Sequence, residues 1–277
     1  DDNPIFFGEI PIDATSASGP TTRSADTAAT NRTAPIPPGY WRPNLTRQAG
    51  GELKQFITRD GWLAFRDAYW NAENALVLAG TLAASVAIRE SGADDAVRRR
   101  TVGQFEMRDL DETVQILGNA STHFAAAGLL WAGSAIAQDG KTHEMSRALG
   151  EALIVNGVTT MALKVGTDTR GPDGDNRAWP SGHTSSAFTT AAVINEFYGP
   201  WAGVPSLALA GLVGYQRIDS RVHDLSDVVF GAVLGYVVGT SVAREQKGEL
   251  PELWGMKIVP YTDPQTGATG LALFKSW

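Results

Sequence analysis

From Asp60 onward, apolar residues recur at helical spacing, first at Trp62, Phe65 and Tyr69 and then in uncharged runs separated by short charged or glycine-containing breaks. The runs 75–88, 124–137, 152–163 and 228–243 predict helices, and the longest of them covers sixteen residues. A bilayer span needs about 20 apolar residues, so the pattern predicts a soluble helical domain whose central helices are buried on most sides. The stretch 197–216 is uncharged for longer, but Pro200 and Pro205 interrupt its start. Gly231, Gly235 and Gly239 recur every four residues, which places a strip without side chains along one helix face. Another helix can approach closely there.

Both ends break this period. Residues 1–50 hold seven of the fourteen prolines, no lysine and a Ser/Thr/Ala-rich stretch, a composition that predicts an extended arm. In the tail, 257–261 and 270–277 flank a proline-containing turn at 263–267 and predict a β-hairpin lying over the helical core. The expected organisation is thus an arm at 1–50, an all-α helical bundle at 51–247 and a short C-terminal β-hairpin segment at 248–277. The first methionine is Met107, which suggests a processed or trimmed chain. A removed signal peptide would make it periplasmic or secreted.

Composition narrows the chemistry. With 23 basic against 30 acidic residues the chain of 277 carries a formal charge of −7, so no broad basic face for nucleic acid is expected. An anionic ligand would have to meet a local basic cluster. The absence of cysteine excludes thiol catalysis, disulfides and Cys-ligated metals. The four histidines stand at 123, 143, 183 and 223.

Two segments concentrate reactive side chains. In 164–186, a helix ending at Lys164 gives way to a Gly/Asp-rich loop and then to Pro180-Ser181-Gly182-His183, directly before an apolar helical stretch. Backbone N–H groups there would sit at a helix N-terminus and attract an anion. Gly182 admits close approach, Ser181 adds a hydroxyl, and His183 carries a proton near neutral pH. In 217–227, Asp227 falls one helical turn after His223, where its carboxylate can hold one imidazole nitrogen as N–H and leave the other free. Arg217 supplies a fork of donors suited to phosphate oxygens. Such a set suits metal-independent phosphoryl transfer through a phosphohistidine.

The arrangement resembles the superfamily of type 2 phosphatidic acid phosphatases, bacterial acid phosphatases and vanadium haloperoxidases, whose signature is K-x6-R-P, P-S-G-H and S-R-x5-H-x3-D. The second part is complete at 180–183, and the third matches from Arg217 through His223 to Asp227 with Gln216 in the serine position. The first departs from the pattern. Five residues separate Lys164 from Arg170, and Gly171 precedes Pro172, which leaves the second arginine open between Arg170 and Arg177. The resemblance covers roughly 60–247 and implies an all-α fold. It also implies His223 as nucleophile, Asp227 as its orienting partner and His183 as general acid. Lys164, Arg170, Ser181, Gly182 and Arg217 would hold the phosphoryl oxygens, with no metal and no cofactor. The substrate would be a phosphate monoester, small molecule or lipid phosphate, and a soluble domain of this kind allows peripheral membrane contact. The same pocket admits two alternatives, a vanadium-dependent haloperoxidase and a non-catalytic phosphate- or lipid-binding module. Arg177, Arg221 and Asp224 read as surface charges, His123 and His143 as structural, and Trp179 as a wall of the pocket.

Overall fold

The computed structural model describes residues 40–41, 44–101, 110–248, 252–253, 256–262 and 269–275. Most of the expected arm and the turn at 263–267 lie outside the described residues. The chain divides into two compact units, one of Ile36–Gln246 and a second that contains Lys247–Trp277.

The first unit is helical. In chain order it holds α1 (Leu45–Gln55), a π-helical turn (Phe56–Asp60), α2 (Gly61–Tyr69), α3 (Ala72–Glu90), α4 (Ala93–Thr101) and α5 (Asp111–Gly118). There follow α6 (Ala120–Ala137), α7 (Gly140–Thr167), α8 (Gly182–Tyr198), α9 (Pro200–Asp219) and α10 (Leu225–Gln246). Their starts are set by short polar side chains that satisfy otherwise orphaned N–H groups. Asn71, Asn119, Asp139 and Ser181 accept from Glu73, Ser121, Thr142 and Thr184 respectively. Pro200 occupies the first turn of α9, and Pro205 lies inside that helix rather than delaying it.

Helix α8 is central and packs against α7, α9 and α10. The glycine strip of α10 faces it. A methyl group on Gly231 would come within 2.7 Å of the Ser181 carbonyl, one on Gly239 within 2.6 Å of the Thr189 carbonyl, and one on Gly235 would run into the Ser185 carbonyl. Leu149, Leu153, Val193, Leu234, Val238 and Val242 fill the space beside this contact.

The outward faces reverse the soluble pattern. In α3, of nineteen residues, the one buried residue is Ser85, while Leu76, Val77, Leu82 and Val86 are exposed. Leu129 and Ile136 of α6, Val158 and Val165 of α7, and Trp201, Val204 and Leu209 of α9 are also exposed. Helices α3, α7 and α10, of 19, 28 and 22 residues, are long and apolar enough to cross a membrane. The expectation of a soluble secreted or periplasmic protein is therefore corrected: the chain has the build of an integral membrane protein, and membrane contact is not merely peripheral. Uncharged runs understate these helices. The run 152–163 is part of α7, which also carries Glu151 and Lys164, and the run 228–243 continues into both ends of α10, which holds Asp227 and Arg244. A charge inside a spanning helix is tolerated when it faces the bundle interior or a helix end.

The all-α part of the expected fold fits the first unit, where the described residues form helices and one isolated bridge, Arg170 to Asn176, but no strand. The expected C-terminal β-hairpin over the helical core is corrected. Among the described residues no strand belongs to the helical unit, and beyond Gln246 the described residues of the second unit pair three short strands, β1 (Glu252–Leu253), β2 (Met256–Thr262) and β3 (Thr269–Lys275), in the order β1-β2-β3. Both pairings are antiparallel, with Val259 opposite Ala272 and Leu253 opposite Met256. A lone two-stranded hairpin is marginal in water, and a third strand gives β2 partners on both edges.

The seating of α10 on α8 leads to a stability prediction. Gly235→Ala should lower stability in detergent micelles by about 1–3 kcal/mol through overpacking against backbone. Gly128→Ala, where an added methyl group meets open space, should not. Chemical denaturation of the two variants compares them directly.

Candidate active site

Four helix ends converge here: the C-terminal ends of α7 and α9 and the N-terminal ends of α8 and α10. Ser181 caps α8 with extended backbone, and its side chain is fully buried. The Ser181 Oγ accepts from the Thr184 N–H at 3.5 Å and shares a hydrogen bond with Thr184 Oγ1 at 2.9 Å. Its backbone N–H donates to the Asp227 carbonyl at 3.1 Å, which ties the start of α8 to the first turn of α10. Much of what Ser181 can offer is thus used to hold the helix end in place. Trp179, just upstream, is buried against Phe230 with ring centroids 4.3 Å apart, and its indole donates to Ser85 Oγ at 3.0 Å. It packs the base of the site from inside the core.

His223 lies in the turn between α9 and α10. The N–H groups of Val222 and His223 both donate to the Arg217 carbonyl, each at 3.1 Å, closing the end of α9 onto the turn. Helix α10 starts at Leu225, two residues after His223, yet the expected pairing forms. His223 Nδ1 is 3.2 Å from Asp227 Oδ2, and both residues are buried. A carboxylate only accepts, so Nδ1 carries the proton and Nε2 keeps its lone pair. Asp227 Oδ2 also accepts the Asp224 N–H at 3.2 Å, and Oδ1 takes the Arg89 guanidinium at 3.1 Å.

The cationic side chains occupy distinct positions. Arg217 is buried, its Nη1 makes a long 3.4 Å contact with Gln216 Oε1, and its Nε has no partner among the described residues. Gln216, in the usual serine position, is itself buried and donates to Asp111 Oδ1 at 2.6 Å and Ser220 Oγ at 2.8 Å. Lys164 donates to the carbonyls of Arg177 at 2.6 Å and Ala178 at 2.9 Å, which leaves one ammonium hydrogen for a ligand. Its stem runs beside the start of α8, for a methyl group on Gly182 would sit 3.9 Å from Lys164 Cε. Arg170 is exposed and lines a cavity of 320 Å³ with Arg89, Arg98, Thr169 and Asp224. Arg177 is exposed too, in a left-handed backbone conformation (φ 64°), with its Nε 3.7 Å from Asp168 Oδ1.

Charge and burial act together on the titrating groups. Burial, reinforced by the positive charges of Arg217, His223 and Lys164, pushes His183 down to about 4. Burial also lowers His223 against the upward pull of its Asp227 hydrogen bond. Asp224 is half-buried and paired with Arg98 at 3.1 Å, not the surface charge its sequence context suggests, and burial raises it to about 6. His123 and His143 stand apart from the motif residues: His123 Nδ1 meets Thr190 Oγ1 at 3.0 Å, and His143 bridges Ser134 at 3.1 Å and Glu52 at 2.9 Å.

A second group of residues, from α3 and α4, supports the turn and has no counterpart in the motifs. Arg89 grips Asp227. Ser85 Oγ donates to the Ser226 carbonyl at 3.0 Å, and Asp94 accepts the Ser226 N–H at 2.9 Å and its hydroxyl at 2.8 Å. No periodicity links residues 85–94 to 226–227. The one available signal is the rule that a buried carboxylate needs a cation.

Comparison with known proteins falls on the same part of the chain. Residues 159–248 match the PAP2 superfamily family model, and the three motif segments, from Lys164 to Asp227, lie within that stretch. A lipid A 1-phosphatase of Porphyromonas gingivalis is 38% identical over 99 residues, 34% of this chain and 22% of that protein. The match therefore spans less than a quarter of that relative's length. Among solved structures, the transmembrane PAP2-type phosphatidylglycerolphosphate phosphatase of Bacillus subtilis superposes with a TM-score of 0.52 at 19% identity, over 61% of this chain and 92% of its own. That likeness is one of fold. Aquifex aeolicus LpxE aligns over 54% of this chain and 93% of its own, with a TM-score of 0.44 and 24% identity.

The depressed His183 gives a test of the site's electrostatics. Its folded value lies below the ordinary histidine value of 6.5, so its neutral form contributes stability that is present above about pH 6.5 and is lost as pH falls toward 4. Imidazole NMR titration of the ligand-free protein should find His183 well below 6.5, and addition of phosphate or vanadate should raise it by neutralising the surrounding cations. An unshifted His183 in the ligand-free protein would contradict this account.

Proposed function

We propose that the chain is a membrane-embedded phosphatase that hydrolyses a lipid phosphate monoester through a phosphohistidine on His223. The observation that carries this reading is the buried Arg217, whose Nε has no partner among the described residues, in the same desolvated cluster as His183, Lys164 and the His223–Asp227 pair. A buried donor without an acceptor is costly, and a phosphoryl group supplies acceptors of the right charge and geometry.

The His223 Nε2 lone pair attacks phosphorus as the ester P–O bond breaks, and the departing oxygen takes a proton from His183. Water then attacks the phosphohistidine, giving its proton to His183 and releasing phosphate, and His223 is restored. Lys164, Arg217, Arg170, the Gly182 N–H and the Ser181 hydroxyl stabilise the charge on the non-bridging oxygens. A bound dianion raises His183 from its low resting value, so the general acid becomes protonated when substrate arrives. The lipid class is supported by the membrane-spanning build, by the family region, and by an apolar cavity of 150 Å³ lined by Val114, Ala187, Ala191, Leu209 and Val213. That cavity adjoins the general acid: an added methyl on Gly118 would touch Val213 and lie 3.5 Å from His183 Cδ2.

Phosphate release from lipid and soluble esters in detergent micelles tests the proposal. His223→Ala should abolish turnover with the fold retained, Asp227→Asn should be milder, and Arg217→Ala should cost about 100-fold or more in kcat. An acid-labile, base-stable phosphoenzyme should be trapped in the wild type. EDTA should leave the rate unchanged and vanadate should compete. A fully active His223→Ala variant would refute the nucleophile assignment.

A further inference from the structure

We propose that Arg89, at the end of α3, is a positioning residue for His223 that acts through Asp227. The inference rests on the reading of His223 as the nucleophile. Asp227 is nearly inaccessible to solvent, and its two oxygens are divided between two tasks. Oδ2 receives His223 Nδ1 at 3.2 Å and the Asp224 N–H at 3.2 Å, while Oδ1 receives Arg89 at 3.1 Å. A carboxylate held from one edge only can rotate about its Cβ–Cγ bond. Held from both edges it presents Oδ2 in a fixed plane, and the imidazole that donates to it is oriented in turn. The direction of Nε2 therefore depends on a side chain that does not touch the reacting atoms.

Arg89 is well placed for this duty. Its side chain is 40% exposed whereas Asp227 is 1% exposed, so the guanidinium is partly hydrated and the carboxylate takes the main benefit of the pair. The neighbouring contacts fix the register. Ser85 and Asp94 hold Ser226, the residue before Asp227, by its carbonyl, N–H and hydroxyl. Helix α3, with one buried residue, thus reaches the turn at two points, Ser85 and Arg89, and Asp94 at the start of α4 adds a third, all of them polar. Residues 85–94 lie outside the 159–248 region that the family model matches.

The charge of Arg89 also bears on the acid limb of catalysis. The other charged or titratable groups around His223 among the described residues are Lys164 from α7, His183 from α8, Arg217 from α9, and Asp227 with Asp224 and its partner Arg98. Arg89 offsets part of the negative charge that would otherwise stabilise a His223 imidazolium. Without it that imidazolium is favoured, and the nucleophile stays protonated to higher pH.

The test compares wild type, Arg89→Met, Arg89→Gln, Arg89→Lys and His223→Ala as full chains in mixed micelles, using phosphatidic acid as the probe and following phosphate release and thermal unfolding. Arg89→Met should lower kcat by about 10- to 100-fold with KM nearly unchanged, and the acid limb of its kcat profile should move to higher pH. Arg89→Lys should restore the acid limb and much of kcat. If Arg89→Met does not fold, Arg89→Gln keeps a donor toward Asp227, removes the charge and should show the same upward shift. A raised KM with unchanged kcat would make Arg89 a substrate ligand and overturn the proposal. So would a kcat loss with an unmoved acid limb that lysine does not rescue, or wild-type activity in Arg89→Met and Arg89→Gln. Activity in His223→Ala would instead refute the nucleophile on which the inference rests, so the two failures are distinguishable.

Discussion

Helix α10 can touch the backbone of α8 because Gly231, Gly235 and Gly239 put no side chain between them. At the top of that seam the Ser181 N–H reaches the Asp227 carbonyl at 3.1 Å, a bond between the first residues of two helices that are remote in sequence. The cap that starts α8 and the carboxylate that orients His223 are thereby fixed relative to each other. A side chain anywhere along the glycine face would separate the helices, and the separation would be felt at the helix ends where His183 and His223 stand. In a lipid environment the same small-residue face serves twice, because apolar helices gain little by burying apolar surface from lipid and associate chiefly through close packing and hydrogen bonds.

Charge follows the reverse logic. Arg217, Asp227 and Asp94 are buried in a bundle whose outward faces are apolar, and Asp94 and Asp227 have explicit polar partners. Arg217 Nε does not, among the described residues. Satisfied buried ions keep the scaffold rigid, and the unsatisfied one marks where a ligand's acceptors are wanted. The low resting value of His183 has the same origin, for burial and cations together disfavour a proton until an anion enters.

Much of this was legible in the sequence, and the parts that were not share a physical cause. The order of Lys164, Ser181-Gly182-His183, Arg217 and His223-x3-Asp227 announced the cluster, since each pair is local in sequence or sits at a helix end. The glycine strip announced its own packing because period four is a helical face. Membrane residence was missed because charges within α7 and α10 break the hydropathy pattern although they point inward or sit at helix ends. Arg89, Ser85 and Asp94 were invisible for the plainest reason: their partners lie more than 130 residues away. The second arginine was open because loop 168–178 has no period to set its register. The structure puts Arg170 beside Asp224 and Arg89, and Arg177 beside Asp168.

Helices α7 and α9 end where α8 and α10 begin, and α3 ends at the same level with Arg89. The Glu52–His143 pair lies near the other end of α7, roughly 30 Å away by helical rise. Set across a bilayer, such an arrangement is one-sided: every group of the reacting cluster opens toward a single leaflet. A lipid phosphate whose headgroup starts on the opposite leaflet cannot be reached by sliding along this protein. It must first be carried across, so under the proposed lipid-phosphatase function the orientation of insertion alone decides which membrane face loses its phosphate.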